Sequence, residues 1–316
     1  MSLEHPHPEP RSYPLMLRTW NYAWWRPASG LFALLMAFIL GPLVLLPLLA
    51  VTVAVDHTGS FGTAFKDAGT LDPVTWQGLL YLNLSLAILV PATWAILRVL
   101  HRMRPRWLMS VQPGIRWRFF FACLGLAVVA IVAQLVVGGF LPGDPNDLGT
   151  GANKVTGTMV AMAAVVLLTT PFQSMGEEYA FRGYLQQAVG SLTRRPWIAM
   201  VVSATLFAMA HGVQNAPLFT DRFAFGLLAA YLVYRTGGLE AGIALHIWNN
   251  LVSFGFAIFV GDVTTTLNVS KVSWWNLPLT ITQNGVYLVL VLLVARRMGI
   301  TSRTTPPVLL PESTPV

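Results

Sequence analysis

The chain has 316 residues, 55% of them apolar and only 10% charged, with a formal net charge of +7 and one cysteine. Soluble globular proteins carry about 25% charged residues, so this composition excludes a water-exposed domain and points to a polytopic membrane protein with short loops. The lone Cys123 excludes an intrachain disulfide and a cysteine-based zinc cage.

Taken in chain order, the first distinctive segment is Arg18-Thr-Trp-Asn-Tyr-Ala-Trp-Trp-Arg26, which mixes arginine with tryptophan as an interfacial helix does. Apolar runs long enough to cross about 30 Å of hydrocarbon then follow at Leu31–Val55, Gly78–Leu97, Phe119–Leu141, Val155–Met175, Trp197–Ala210, Phe223–Tyr234, Ala241–Val260 and Leu277–Ala295. The first exceeds the 7 to 15 apolar residues of a signal-peptide core and reads as a retained span. Pro171 should kink the fourth. The sixth has about 12 apolar residues, near 18 Å, so its polar lead-in from Gln214 to Arg222 is expected at membrane depth beside a watery cavity. The tail after Arg303, rich in Pro, Thr and Ser, reads as disordered.

Charge placement gives the topology. Arg11, Arg18, Arg26, the six arginines of 98–118, Arg194, Arg195, Arg235, Arg296, Arg297 and Arg303 all fall on one side. Lys66, Lys154, Arg222, Lys271 and every aspartate fall on the other. The positive-inside rule makes the Arg-rich side cytoplasmic, and the basic excess is explained by lipid without nucleic acid. The expectation is an all-α membrane protein, a bundle of about eight transmembrane helices with both termini cytoplasmic. It divides into an N-terminal segment (1–30), three leading helices (31–157), a core (158–297) and a tail (298–316).

Ionisable groups inside spans cost about 2.5 to 3.5 kcal/mol each at the bilayer centre and are functional candidates by default. Three clusters qualify: Glu177-Glu178 with Arg182, His211 after Phe207, and His246 with Asn249 and Asn250. Glu178 and Arg182 are i,i+4 and can pair, while Glu177 is rotated about 100° from Glu178 and free to face elsewhere. His246 and Asn250 share a helix face by the same spacing. A hairpin turning near Thr193 puts Glu177 and His211 at roughly 24 and 27 Å from the turn, nearly one level. His246 joins them if that turn projects about 10 Å beyond the bilayer. Asn83, Gln134 and Asn284 are assigned to helix packing, and His5, His7, His57 and His101 to solvated segments.

Two carboxylates, two imidazoles and an amide suit hydrolysis by activated water: a glutamate as general base and a second imidazole with an amide for an oxyanion. A proton relay in a transporter, or a non-catalytic immunity or scaffold protein binding a partner through the same groups, are the alternatives.

Glu177-Glu178-x-x-x-Arg182, Phe207-x-x-x-His211 and His246-x-x-x-Asn250, in this order and spacing, resemble the CPBP family of intramembrane proteases, the Abi or type II CAAX prenyl endopeptidase group. The resemblance covers roughly residues 158 to 260. It implies an eight-helix bundle around a conical cavity open to cytosol and bilayer, with Glu177 and His211 activating water, His246 and Asn250 forming the oxyanion site, and Glu178 and Arg182 orienting Glu177. The expected activity is an intramembrane endopeptidase acting near the cytoplasmic side of what is expected to be a bacterial plasma membrane. Its partners are then the bilayer and a membrane-associated peptide or lipidated protein, with nothing in the sequence favouring a prenyl group. No cofactor is favoured. Zinc held by two histidines and a glutamate is the metalloprotease alternative, against which Asn250 is a poor ligand.

Overall fold

The computed structural model describes residues 6–141 and 152–305, and among them it is helical with no strand. Eight apolar helices carry the architecture: α1 Trp25–Val55, α2 Trp76–Leu100, α3 Trp117–Gly138, α4 Gly157–Thr193, α5 Pro196–Met209, α6 Ala216–Thr236, α7 Glu240–Phe259 and α8 Asn276–Arg297. All but α5 are long and apolar enough to cross a bilayer, so the chain is an integral multi-pass membrane protein. Phe32, Leu35, Ile39, Phe121, Leu167 and Leu168 are exposed on the outside of the bundle, where lipid rather than water solvates them.

Successive helices alternate in direction, and loop hydrogen bonds tie each end of the bundle together. On the Arg-rich face, Ser12 forms a β-bridge with Arg303. There Thr304 N donates to Arg11 O at 2.9 Å, Arg18 Nε to Ser191 O at 2.9 Å, and Leu239 N to Met109 O at 2.9 Å. On the opposite face, Val74 N donates to Thr264 Oγ1 at 3.0 Å, Asn153 Nδ2 to Gly261 O at 2.8 Å, and Asn268 Nδ2 to Leu71 O at 3.2 Å. Both ends of the described chain therefore lie on one face.

Two features of the helices set the depth of the polar residues. Helix α5 has 14 residues, about 21 Å, so that His211, just past its end, is exposed at the cavity wall. Where α2 and α4 cross, Gly176 removes an obstruction: a Cβ there would lie 2.0 Å from Leu86 O. Without a side chain the two backbones meet, and the adjacent Glu177 turns inward.

Several expectations are corrected. The sixth helix is 21 residues rather than 12, because its polar lead-in continues the helix, capped by Asn215 through Leu218 N at 3.2 Å. A hydropathy reading stops at Asp221 and Arg222, whereas the helix turns them into the protein interior. Residues 18–24 form turns rather than an interfacial helix, their donors Arg18 and Tyr22 being spent on Ser191 O. His7 and His101 are buried, not solvated; His7 Nε2 pairs with Met16 O at 2.7 Å and His101 Nε2 with Tyr184 Oη at 2.8 Å. Part of the expected tail is docked, with Thr304 buried against Arg11; residues 306–316, like His5, Asp144 and Asp147, lie outside the described residues. Asn83 does pack helices, donating to Thr169 Oγ1 at 2.8 Å.

Candidate active site

Helix α4 supplies the acidic half of the site. It is α-helical over Gly157–Glu177, winds as a π-helix over Glu178–Leu185, and returns to α-helix at Gln186. Such widened turns occur mostly as short insertions at functional sites. Here the π segment holds Glu178 and Arg182, whose Nη1 lies 3.0 Å from Glu178 Oε1, with both side chains fully buried. The pair predicted from spacing is formed, and Arg182 also lies 3.9 Å from the Phe207 ring centroid, a cation–π contact.

Helix α7 supplies the imidazole. His246 Nε2 is 3.1 Å from Glu177 Oε2, and Nδ1 is 2.9 Å from Glu178 Oε1. One turn on, Asn250 Nδ2 donates to Gln173 Oε1 at 2.9 Å, so His246 and Asn250 do share the face turned to α4. Both ring nitrogens of His246 meet carboxylates, and a neutral imidazole donates from only one nitrogen. The two hydrogen bonds therefore need one proton beyond that of the neutral ring. With it, Arg182, His246, Glu177 and Glu178 sum to zero charge, the arrangement a low-dielectric interior favours.

Helix α5 brings Phe207 and His211. The Phe207 ring stands edge-on to His211 at 4.7 Å and to His246 at 5.9 Å. His211 Nδ1 faces Phe207 O at 2.8 Å; a carbonyl only accepts, so Nδ1 carries the proton and the neutral ring leaves Nε2 with a lone pair. His211, Glu177, His246 and Asn250 all line one cavity of about 820 Å³. The residues predicted to converge from separate helices do share a wall.

The sequence reading missed four contributors. Gln173 lies one turn before Glu177 and fixes Asn250, a signal available in the i,i+4 spacing. Asn249, quoted but unassigned, accepts from Gln283 at 3.2 Å. Phe225 packs on His246 with ring centroids 5.3 Å apart, and no local pattern marks it. Gly242 is the least visible: a Cβ there would sit 2.6 Å from Glu178 Oε2, so the glycine provides the carboxylate's space. Gln134 and Asn284, assigned to packing, line the cavity, as does Asn83.

The cavity reaches Leu71, Leu267, Asn268 and Asn276, and its lining includes no residue of the N-terminal segment or the 101–116 loop, which pack together over the Arg-rich end of the bundle.

Residues 158–252 match the sequence family described as type II CAAX prenyl endopeptidase Rce1-like. That segment is Rce1-like. It contains Glu177, Glu178, Arg182, His211, His246 and Asn250, whereas Gln134, Gln283 and Asn284 of the cavity lie outside it. The uncharacterized protein YyaK of Bacillus subtilis (strain 168) is 24% identical over 238 residues, 73% of this chain and 77% of its own length. The likeness therefore extends well beyond the Rce1-like segment.

Both His246 nitrogens are committed to carboxylates, and His211 keeps one free nitrogen. Among the described residues no group of three His, Cys, Asp or Glu is arranged to hold a metal ion.

Proposed function

We propose that this chain is a membrane-embedded endopeptidase that hydrolyses peptide bonds with water activated by Glu177, without a metal. The observation that carries the reading is the imidazole of His246 held between Glu177 and Glu178 at 3.1 and 2.9 Å, on the floor of a cavity shared with His211 and Asn250. Water lodges between Glu177 and the free Nε2 of His211 and attacks the substrate carbonyl, its proton passing to Glu177. That transfer neutralises the carboxylate and releases the Nε2–H of His246 toward the oxyanion, beside the second N–H of Asn250. The C–N bond then breaks as Glu177 returns the proton to the leaving amine, leaving a carboxylic acid and an amine. Glu178 and Arg182 hold His246 in register throughout.

The deciding experiment compares newly formed peptide termini in membranes carrying the native chain and Glu177→Gln. Products present with the native chain, absent with the folded variant and unaffected by chelators support the mechanism. Undiminished cleavage by Glu177→Gln refutes the assignment, and restoration by zinc after chelation refutes the metal-free site.

A further inference from the structure

Phe207 stands where three side chains of the site meet. Its ring centroid is 3.9 Å from the guanidinium carbon of Arg182, 4.7 Å from the His211 ring and 5.9 Å from the His246 ring, both nearly perpendicular to it. Phe225 stacks on Phe207 at 5.9 Å and lies 5.8 Å from Arg182 and 5.3 Å from His246. The close approach of α5 and α6 that stacks the two rings depends on Gly226, where a Cβ would lie 3.1 Å from Ala204 Cα and 3.3 Å from Phe207 Cδ1.

Arg182 leans on that ring more than an ordinary ion-paired arginine would. It is completely buried, and a guanidinium presents five N–H donors. Nη1 reaches Glu178 Oε1 at 3.0 Å, yet Nε, Nη1 and Nη2 all lack a hydrogen-bond partner of good geometry. The negative face of an aromatic ring compensates a desolvated cation of this kind. Glu178 Oε1 is meanwhile shared, because it also accepts from His246 Nδ1 at 2.9 Å. An Arg182 held less firmly by the ring moves toward that oxygen and competes with His246 for it. The strength of the ring face therefore sets how the carboxylate is divided between arginine and imidazole. The backbone of Phe207 fixes the other histidine, its carbonyl accepting from His211 Nδ1 at 2.8 Å.

We propose that Phe207 is a positioning residue whose π-electron face, beyond its bulk, balances Arg182 against Glu178 and so keeps His246 aligned on Glu177; this deepens the protease reading above and rests on it. The test replaces Phe207 of the full chain with mono-, di- and trifluorophenylalanine by nonsense suppression, which drains the ring face stepwise and keeps its shape. For a peptide identified from the membrane comparison, kcat should fall with each fluorine, by about 10-fold across the series, with KM unchanged. The melting temperature in detergent should fall in parallel by about 3 °C, and that slope should vanish in a Glu178→Gln, Arg182→Met background. The same series at Phe219, whose ring stacks on Phe223 at 6.3 Å, should move neither quantity. A level kcat across the Phe207 series overturns the proposal and leaves the protease reading standing, as does a melting slope that persists without Arg182. If the native chain cuts no peptide, the protease reading falls and the positioning role falls with it, while the melting slope still reports whether the ring holds Arg182.

Discussion

Replacing Gly242 with alanine inserts one methyl group where Glu178 now has its carboxylate. The added Cβ would lie 2.6 Å from Glu178 Oε2 and 3.4 Å from its Cδ, with Ala229 Cβ at 3.7 Å behind. A carbon–oxygen contact relaxes at about 3.3 Å, so the carboxylate must retreat by roughly 0.7 Å or α7 must move. Its Oε1 meets both His246 Nδ1 at 2.9 Å and Arg182 Nη1 at 3.0 Å, and displacement along either direction takes these contacts to the edge of hydrogen-bonding distance. Overpacking of this kind costs about 1–3 kcal/mol of stability. Loosening a group that orients a reacting side chain lowers turnover by about 10- to 100-fold. The assay is cleavage of a peptide identified from the membrane comparison, with rates normalised to folded protein and KM measured separately. The control is Gly255→Ala in the same helix, where an added Cβ meets nothing within 4 Å and helix propensity improves by about 1 kcal/mol. Native turnover in Gly242→Ala, with a native melting temperature, refutes the claim that this glycine shapes the site.

Glu178→Gln leaves the fully buried Arg182 without its ion-pair partner and should cost about 3–5 kcal/mol, read as a lower melting temperature in detergent; adding Arg182→Met should recover part of the loss, and no recovery would count against the ion pair. Gln173→Leu should lower turnover about tenfold by freeing the Asn250 amide, with little change in KM or melting, and an equal change in all three would indicate a packing role instead. Burial pushes the pKa of both His7 and His101 down to about 4, so between that value and about 6.5 the unfolded chain binds more protons than the folded one. Stability is complete above pH 6.5 and falls as the pH drops through that window, by about 3 kcal/mol per histidine at full extent. Melting curves from pH 7 to 4 should show the slope, and His7→Gln should flatten it; an unchanged slope refutes the assignment.

The helices and their order were legible because a bilayer demands about 20 consecutive apolar residues, a demand met by composition alone. The pairing of Glu178 with Arg182 and the shared face of His246 and Asn250 were legible for a similar reason, since both follow from helical periodicity. Reading failed where a polar residue was judged by the lipid it seemed to face. Asp221 and Arg222 ended the predicted sixth helix early although both are turned inward, and His7 and His101 were placed in solvent although each has a buried acceptor or hydroxyl beside it. Gly242 and Phe225 carried no signal, because their roles are defined only against a carboxylate and an imidazole distant in sequence.

What the sequence determined by itself is everything governed by local periodicity and by the energy of moving side chains into hydrocarbon: the spans, the sidedness of the arginines, and which polar groups lie at membrane depth. Only the tertiary structure decided which end of the bundle the N-terminal segment packs over, and that both carboxylates converge on a single imidazole. Those outcomes depend on contacts such as Ser12 with Arg303 and Glu178 with His246. Contacts between residues far apart in the chain leave no periodic trace, so packing had to specify them.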